Sequence, residues 1–223
     1  MPELSFTDRT ERDDLSAFAA RAVRLDQTTV VRLRARRDDS GADRRTGRIE
    51  AWVATPFDVL ATRTVFGAVE PADVTVSGNE LLAALAIARG DTVDPGPVLD
   101  LQWRSALPPR EHWQLVEESL PAKIVNDLAD RGIELAKENV GPQGTPPASL
   151  LDQTVLTVSG DGLDVKIPLR CLFAMSGMGF LGDGDDEHVR ITATDAWLRI
   201  DARFGAVVRR RHALLPLLVL EGV

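Results

Sequence analysis

The chain has 223 residues, with 26 basic and 34 acidic side chains, a formal net charge of -8 and 44% hydrophobic residues. It is long enough to bury a core without metals or disulfides, and its single cysteine, Cys171, cannot form an internal bridge. These values exclude a disulfide scaffold and a chain drawn as a whole towards nucleic acid. The longest apolar run, Ala213 to Leu220, carries Pro216 and is far shorter than the roughly 20 residues of a membrane span. The charged start "MPELSFTDRTERDD" has no apolar stretch of the signal-peptide kind. A cytoplasmic protein that does not enter membranes is expected.

Leu15, Phe18, Ala19, Ala22 and Leu25 recur at helical spacing, and predict an amphipathic helix from about Thr10 to Leu25, with Thr10 and Asp13 as its capping pair. In "TTVVRLRARR" Val31, Leu33 and Ala35 alternate with Arg32, Arg34 and Arg36, the pattern of a half-buried strand. Ile49, Ala51 and Val53 alternate with Arg48, Glu50 and Trp52, so the two strands are expected to form a hairpin. "FDVLATRTVFGAV" reads as a third strand, and "VTVSGNELLAALAIARG" as a strand running into a helix that stops by Gly90. "DTVDPGP" reads as a connector. Glu111 to Val140 is read as the most helical region, with an apolar stripe of Val125, Leu128, Gly132, Leu135 and Ala136, and with Pro121 starting or kinking a helix. "TVLTVSGDGLDVKI" predicts a hairpin turning at Asp161-Gly162. "PLRCLFAMS" is a buried helix or strand. Val189, Ile191 and Ala193, then Leu198, Ile200, Ala202 and Phe204, predict a final strand pair.

The fold class is therefore α+β, with antiparallel β-hairpins packed on three or four helices, and the arrangement allows two similar α+β halves. One division puts an N-terminal α+β domain at 1–140, ending in an acidic helical segment, a Pro/Gly linker at 141–149 and a C-terminal α+β domain at 150–223. A single domain is the other. "FGAV" occurs at Phe66–Val69 and again at Phe204–Val207, as a duplication would leave or as chance would produce.

"GMGFLG", Gly177 to Gly182, fits the spacing of a dinucleotide-binding turn, but acidic residues follow it where a phosphate would sit. No cofactor is assigned. Asp183, Asp185 and Glu187 lack the spacing of a calcium loop, because His188 and Thr194 stand where glycine and glutamate are needed. No metal is assigned either. His112, His188 and His212 are the only histidines. His188 with Cys171 could make a nucleophile and base in principle, but Cys171 lies in an apolar run where a thiol is usually a buried filler. Asp127, Asp130, Glu134 and Glu138 fall at helical spacing and read as a solvated face. No catalytic set is recognisable, so catalytic residues remain unknown.

Three surfaces remain. Leu214, Leu215, Leu217 and Leu218 follow three arginines and suit a protein partner or self-association. Arg32, Arg34, Arg48 and Trp52, with Arg190, Trp197, Arg199 and Arg203, place cations beside aromatic rings on strand faces, as a nucleic-acid platform does. The acidic middle helix, within Glu111 to Val140, suits a basic partner. The leading expectation is a non-enzymatic cytoplasmic accessory protein acting through protein contacts. The alternative is a nucleic-acid binder using the arginine faces, and the third reading is an enzyme with dispersed carboxylates.

Overall fold

The computed structural model describes residues 1–36, 47–138, 146–160, 162–182, 184 and 186–211. The first part runs β1 (Glu3–Phe6), α1 (Arg9–Leu25), β2 (Val30–Arg36), β3 (Arg48–Thr55), β4 (Val59–Glu70), β5 (Asp73–Ser77), α2 (Gly78–Ile87) and β6 (Thr92–Val93). The second runs β7 (Gln114–Pro121), α3 (Ala122–Glu138), α4 (Ala148–Leu151), β8 (Thr154–Gly160), β9 (Leu163–Pro168), α5 (Leu169–Gly177), β10 (His188–Ala193), β11 (Trp197–Ala202) and β12 (Gly205–Arg210). The chain is α+β with a large antiparallel sheet and five α-helices among the described residues.

Eight strands form one continuous series, β5-β2-β3-β4-β12-β11-β10-β7. The halves meet at the β4–β12 pair, where Thr62, Ala61 and Leu60 face Ala206, Val207 and Val208, and from that pair outwards β4, β3, β2 on one side answer β12, β11, β10 on the other. Each side contributes four strands, and each outermost strand leads directly into a helix, β5 into α2 and β7 into α3. These are two similar halves joined by strand pairing. The FGAV segments do not mark that symmetry: the first lies in the later part of β4, paired with β1, whereas the second opens β12. β8 and β9 form a separate two-stranded ribbon.

The hairpin of β2 and β3 has the expected register, with Leu33 opposite Ala51 and Ala35 opposite Ile49. α1 also forms where its apolar spacing predicts. Its cap, however, is Asp8, whose carboxylate accepts from the Glu11 amide at 3.1 Å, in place of the expected Thr10 and Asp13 pair. A larger correction concerns Glu111 to Val140. Its first part is strand β7, paired with β10, and the helix begins only after Pro121. Gln114 to Leu120 is rich in good helix formers, so local preference pointed one way and pairing along β10 decided the other. Beyond Pro121 the reading holds, with Val125, Gly132 and Ala136 buried and Leu128 partly so, although Leu135 is 41% exposed and Ala129 takes its place in the stripe. "PLRCLFAMS" resolves as α5, buried from Leu169 to Met175.

The helices cover one face of the sheet. Leu15, Phe18 and Ala22 of α1 and Leu172 and Met175 of α5 join Val31, Leu33, Ala51, Ala61, Leu198, Ile200 and Val207 in one core cluster spanning both halves. "GMGFLG" has its place in this joint. It ends α5, and Phe180, fully buried, stacks on Phe18 with ring centroids 6.3 Å apart. Arg21 and Arg24 of α1 donate to the carbonyls of Gly179 and Gly177 at 3.0 and 3.1 Å. A turn that closes a helix and receives side chains from another is a packing device, and its first glycine follows a helix where a nucleotide turn would open one.

Cys171 sits inside α5, 1% exposed, and burial pushes its thiol up to about 12. His188 is exposed and faces the carbonyl of Asp186 at 2.9 Å. In the folded protein Cys171 is expected to resist Ellman's reagent at pH 8 and to react on unfolding in guanidinium, because only the thiolate attacks. Prompt labelling of the native protein would show that α5 opens.

Candidate interaction surface on the outer sheet face

The other sheet face is covered by a connector, residues 94–113, which joins β6 to β7. The connector carries four prolines, Pro95, Pro97, Pro108 and Pro109, and one 3-10 turn at Asp100–Gln102. Its aromatic residues pin it down. Trp103, Leu107 and Trp113 of the connector pack on Trp52, Leu60, Trp197 and Val208 of β3, β4, β11 and β12, so all 4 tryptophans of the chain meet in a single cluster straddling the junction of the halves. Trp103 and Trp113 turn their indole N–H groups back on the connector, to the carbonyls of Ser105 and Pro109 at 2.5 and 3.0 Å. Near its start the connector also meets the margin of the sheet: the Leu99 amide donates to Thr75 O, and the Thr75 amide donates to the Asp100 carboxylate, both at 2.7 Å.

Most of the arginines singled out in the sequence line this face, largely engaged with acids, while Arg203 lies apart in the β11–β12 turn beside Arg21 and Asn126. Arg32 makes two bonds of 2.8 Å to Asp73 while lying over Trp103, and Arg34 approaches the same aspartate at 3.3 Å. The Asp73 bond is the main influence raising the Arg32 pKa. Arg199 grips Asp201 at 2.6 to 2.9 Å, Arg203 pairs with Glu187, and Arg48 lies over the Phe66 ring. Trp52 and Trp197 are only 4% and 7% exposed, so their rings face the connector and present no open plane to a base. Arg190 is exposed and makes no ion pair or side-chain hydrogen bond among the described residues.

Two depressions flank the connector, each built from both halves. The first, about 500 Å³, has Val59, Leu60, Trp197 and Val208 at its base and Arg104 and Arg209 to Arg211 around it, with Ala106 on the connector side. Arg209 is tied to Asp152 and Asp58 at 3.2 and 3.6 Å, and Arg210 lies 4.9 Å over the Trp197 ring. The second, about 410 Å³, lies on the other side of the connector between Trp113 and the strands carrying Arg34, Glu50, Trp52, Arg190 and Thr192. Sequence reasoning missed this surface. Its signal was the density of proline and tryptophan in 94–113, too many large apolar groups for a solvated connector.

The remaining predicted residues fall elsewhere. Leu214, Leu215, Leu217 and Leu218 lie outside the described residues. Asp127, Asp130, Glu134 and Glu138 are exposed along α3, mixed with Lys123, Arg131 and Lys137. Together α1, α2 and α3 carry seven basic and eight acidic side chains, so the helical layer is nearly neutral. Among the described residues no three His, Cys, Asp or Glu side chains cluster closely enough to hold a metal ion, and no helix is long and apolar enough to cross a membrane.

Residues 1–105 match a family described as a domain of unknown function (DUF8010), and residues 108–214 match a second, also described as a domain of unknown function (DUF8185). The boundary falls within the connector. No curated protein matches the chain. Among solved structures, it superposes on the beta sliding clamp of Caulobacter crescentus with a TM-score of 0.55 and 13% identity, over 96% of this chain and 66% of that one. The DNA polymerase sliding clamp of Bacillus subtilis gives 0.55 and 14%, over 97% and 66%. The Helicobacter pylori beta clamp bound to a DNA ligase peptide gives 0.53 and 11%, over 97% and 68%. The chain has a sliding-clamp-like fold. It spans about two thirds of the length of those clamps. In this chain the connector across the outer face of the sheet draws tryptophans from both halves into one place.

Proposed function

We propose that the protein is a non-enzymatic cytoplasmic accessory protein, a clamp-like scaffold that holds a partner protein in the first depression beside the connector. The observation that carries this reading is the construction of that depression. Leu60 and Val208 from different halves form an apolar base next to Trp197, and Arg104 and Arg210 rim it. A buried apolar anchor within a polar rim is the composition of a protein contact. Its partner segment would carry an apolar side chain flanked by acidic ones. The likeness to a clamp bound to a DNA ligase peptide supports a role through peptide contacts.

Nucleic acid is the second reading, favoured by the likeness to DNA polymerase clamps. The near-neutral helical layer and the ion-paired sheet arginines weigh against it, because phosphate neutralisation needs unspent cations.

The two readings separate in one experiment. Tagged protein is recovered from a native lysate at low salt, with and without nuclease, beside the variant Arg104→Glu with Ala106→Glu. Both substituted side chains are exposed on the connector, so the variant should fold normally. A discrete protein kept after nuclease and reduced about tenfold or more in the variant is the expected result, equivalent to at least about 1.4 kcal/mol of binding. The same protein recovered equally by the variant removes the first depression as its site. Material lost on nuclease treatment moves the function to the arginine faces.

A further inference from the structure

The geometry points to a second binding site, for an acidic peptide segment, in the depression between Trp113 and β2, β3, β10 and β11. Its residues are not those of the first depression, and it stands or falls independently of the partner proposed there. Three observations converge on it.

The first is charge. The depression is lined by Arg34, Arg36, Arg110, Arg190 and Arg199 against Glu50 and Asp201, an excess of three positive charges in a protein whose net charge is -8. Glu50 is pinned between Arg36 at 3.5 Å and Arg110 at 3.7 Å, and Asp201 is held by Arg199. Every acid in the hollow is thus matched, while the exposed Arg190 makes no pair among the described residues.

The second is unspent hydrogen bonding. Trp52 Nε1 and Thr192 Oγ1 are buried and have no hydrogen-bond partner among the described residues, although their side chains belong to residues only 4% and 7% exposed. Buried polar groups are almost always paired. The indole can only donate and the hydroxyl can do so, and thus the missing partner at this floor is an acceptor. Thr192 faces Arg199 across the β10–β11 pair and Arg190 faces Asp201. A ligand oxygen reaching the floor would have guanidinium groups around it.

The third is shape. Pro108, Pro109 and Trp113 wall one side, and the Arg110 side chain, held to Ala35 O at 3.2 Å, fixes that wall to β2. Glu50 and Asp201 remain in the hollow, so a run of phosphates would meet two carboxylates it cannot escape. A single carboxylate on a flexible peptide can sit beside Arg190 and avoid them. Arginine forks suit carboxylate geometry. The site therefore takes a peptide segment that can place one Asp or Glu carboxylate beside Arg190 and turn its other groups away, in preference to nucleic acid.

The test uses the full chain and acetylated hexaglutamate amide as probe, with tryptophan emission as the readout because Trp52 and Trp113 line the site. Inorganic phosphate and oligothymidylate are titrated in parallel. The expected result is saturable binding of hexaglutamate below about 10 mM, weakened about tenfold or more in Arg190→Glu. Thr192→Val adds a readout that structure alone would not give. Removing an unpaired buried hydroxyl should leave the free protein's Tm unchanged or higher, while its hexaglutamate affinity falls. Absence of saturable binding to the wild type overturns the proposal. So does equal binding by wild type and both variants, and so does tighter, Arg190-dependent binding of phosphate or oligothymidylate.

Discussion

Phe180→Ala is expected to lower the unfolding free energy by about 3–5 kcal/mol, the range for a buried phenylalanine truncated to alanine, and to do so in a single cooperative transition. Phe180 is the point where the two halves of the core are fastened. Its ring stacks on Phe18 from α1, and its backbone carbonyl accepts from Phe204 at the turn into β12. The ring also lies on Gly205, where an added Cβ would come within 2.5 Å of it. Removing the ring opens a cavity between α1, the end of α5 and the β11–β12 turn, none of which can close it without giving up strand or helix contacts. Guanidinium denaturation followed by tryptophan emission and by far-ultraviolet circular dichroism would report the loss. Two separated transitions in the wild type would contradict a shared core, and a loss below about 1 kcal/mol would show that the neighbours collapse into the space.

Gly67→Ala should be the second severe substitution, through the backbone and not the core. Gly67 lies opposite Phe6 in the β1–β4 pair, and a Cβ there would stand 2.2 Å from Ser5 O. No rotamer relieves a clash with a carbonyl, so β1 must shift or detach, at a cost of about 1–3 kcal/mol or more. Hydrogen exchange should show lost protection at the β1 amides while β2 and β3 keep theirs. Gly90→Ala is the matched control: nothing lies within 4 Å of a Cβ at that position, and its stability should change by less than about 0.5 kcal/mol. Equal behaviour of the two variants would mean that β1 is not held as described.

Much of the framework was legible because single-face burial leaves a period in the chain. Val31, Leu33 and Ala35, Val189 and Ile191, and Leu198 and Ile200 all fell on the inner face as their alternation implied. The outer face was not legible for the converse reason. Glu50 and Trp52 read as the wet side of β3, yet they are 7% and 4% exposed beneath the connector. Alternation reports that two faces differ, not what lies on the second one. β7 was obscured because Glu117, Glu118 and Leu120 are good helix formers whose conformation is decided by a partner strand some 70 residues away in sequence. The Gly141–Ser149 segment read as a boundary, and it has α3 before it and α5 after it; these two helices pack together through Gly132, where a Cβ would lie 2.3 Å from a Leu169 methyl. Acids on α3 were correctly read as a solvated face. What no periodicity could show is that arginines and tryptophans from both halves converge around one connector.

The pairing of Thr75 with Leu99 and Asp100 bears on how this sheet can grow. β5 is the outermost strand of its half, and a bare outer strand offers its amides and carbonyls to any extended chain that drifts past. At the middle of β5 both groups are already spent, one on a backbone amide and one on a carboxylate. The margin is therefore stoppered by the same segment that spans the outer face. A copy or a foreign strand could extend the sheet here only after residues 99 and 100 let go, which makes the seating of the connector a gate on lateral growth of the sheet at this end.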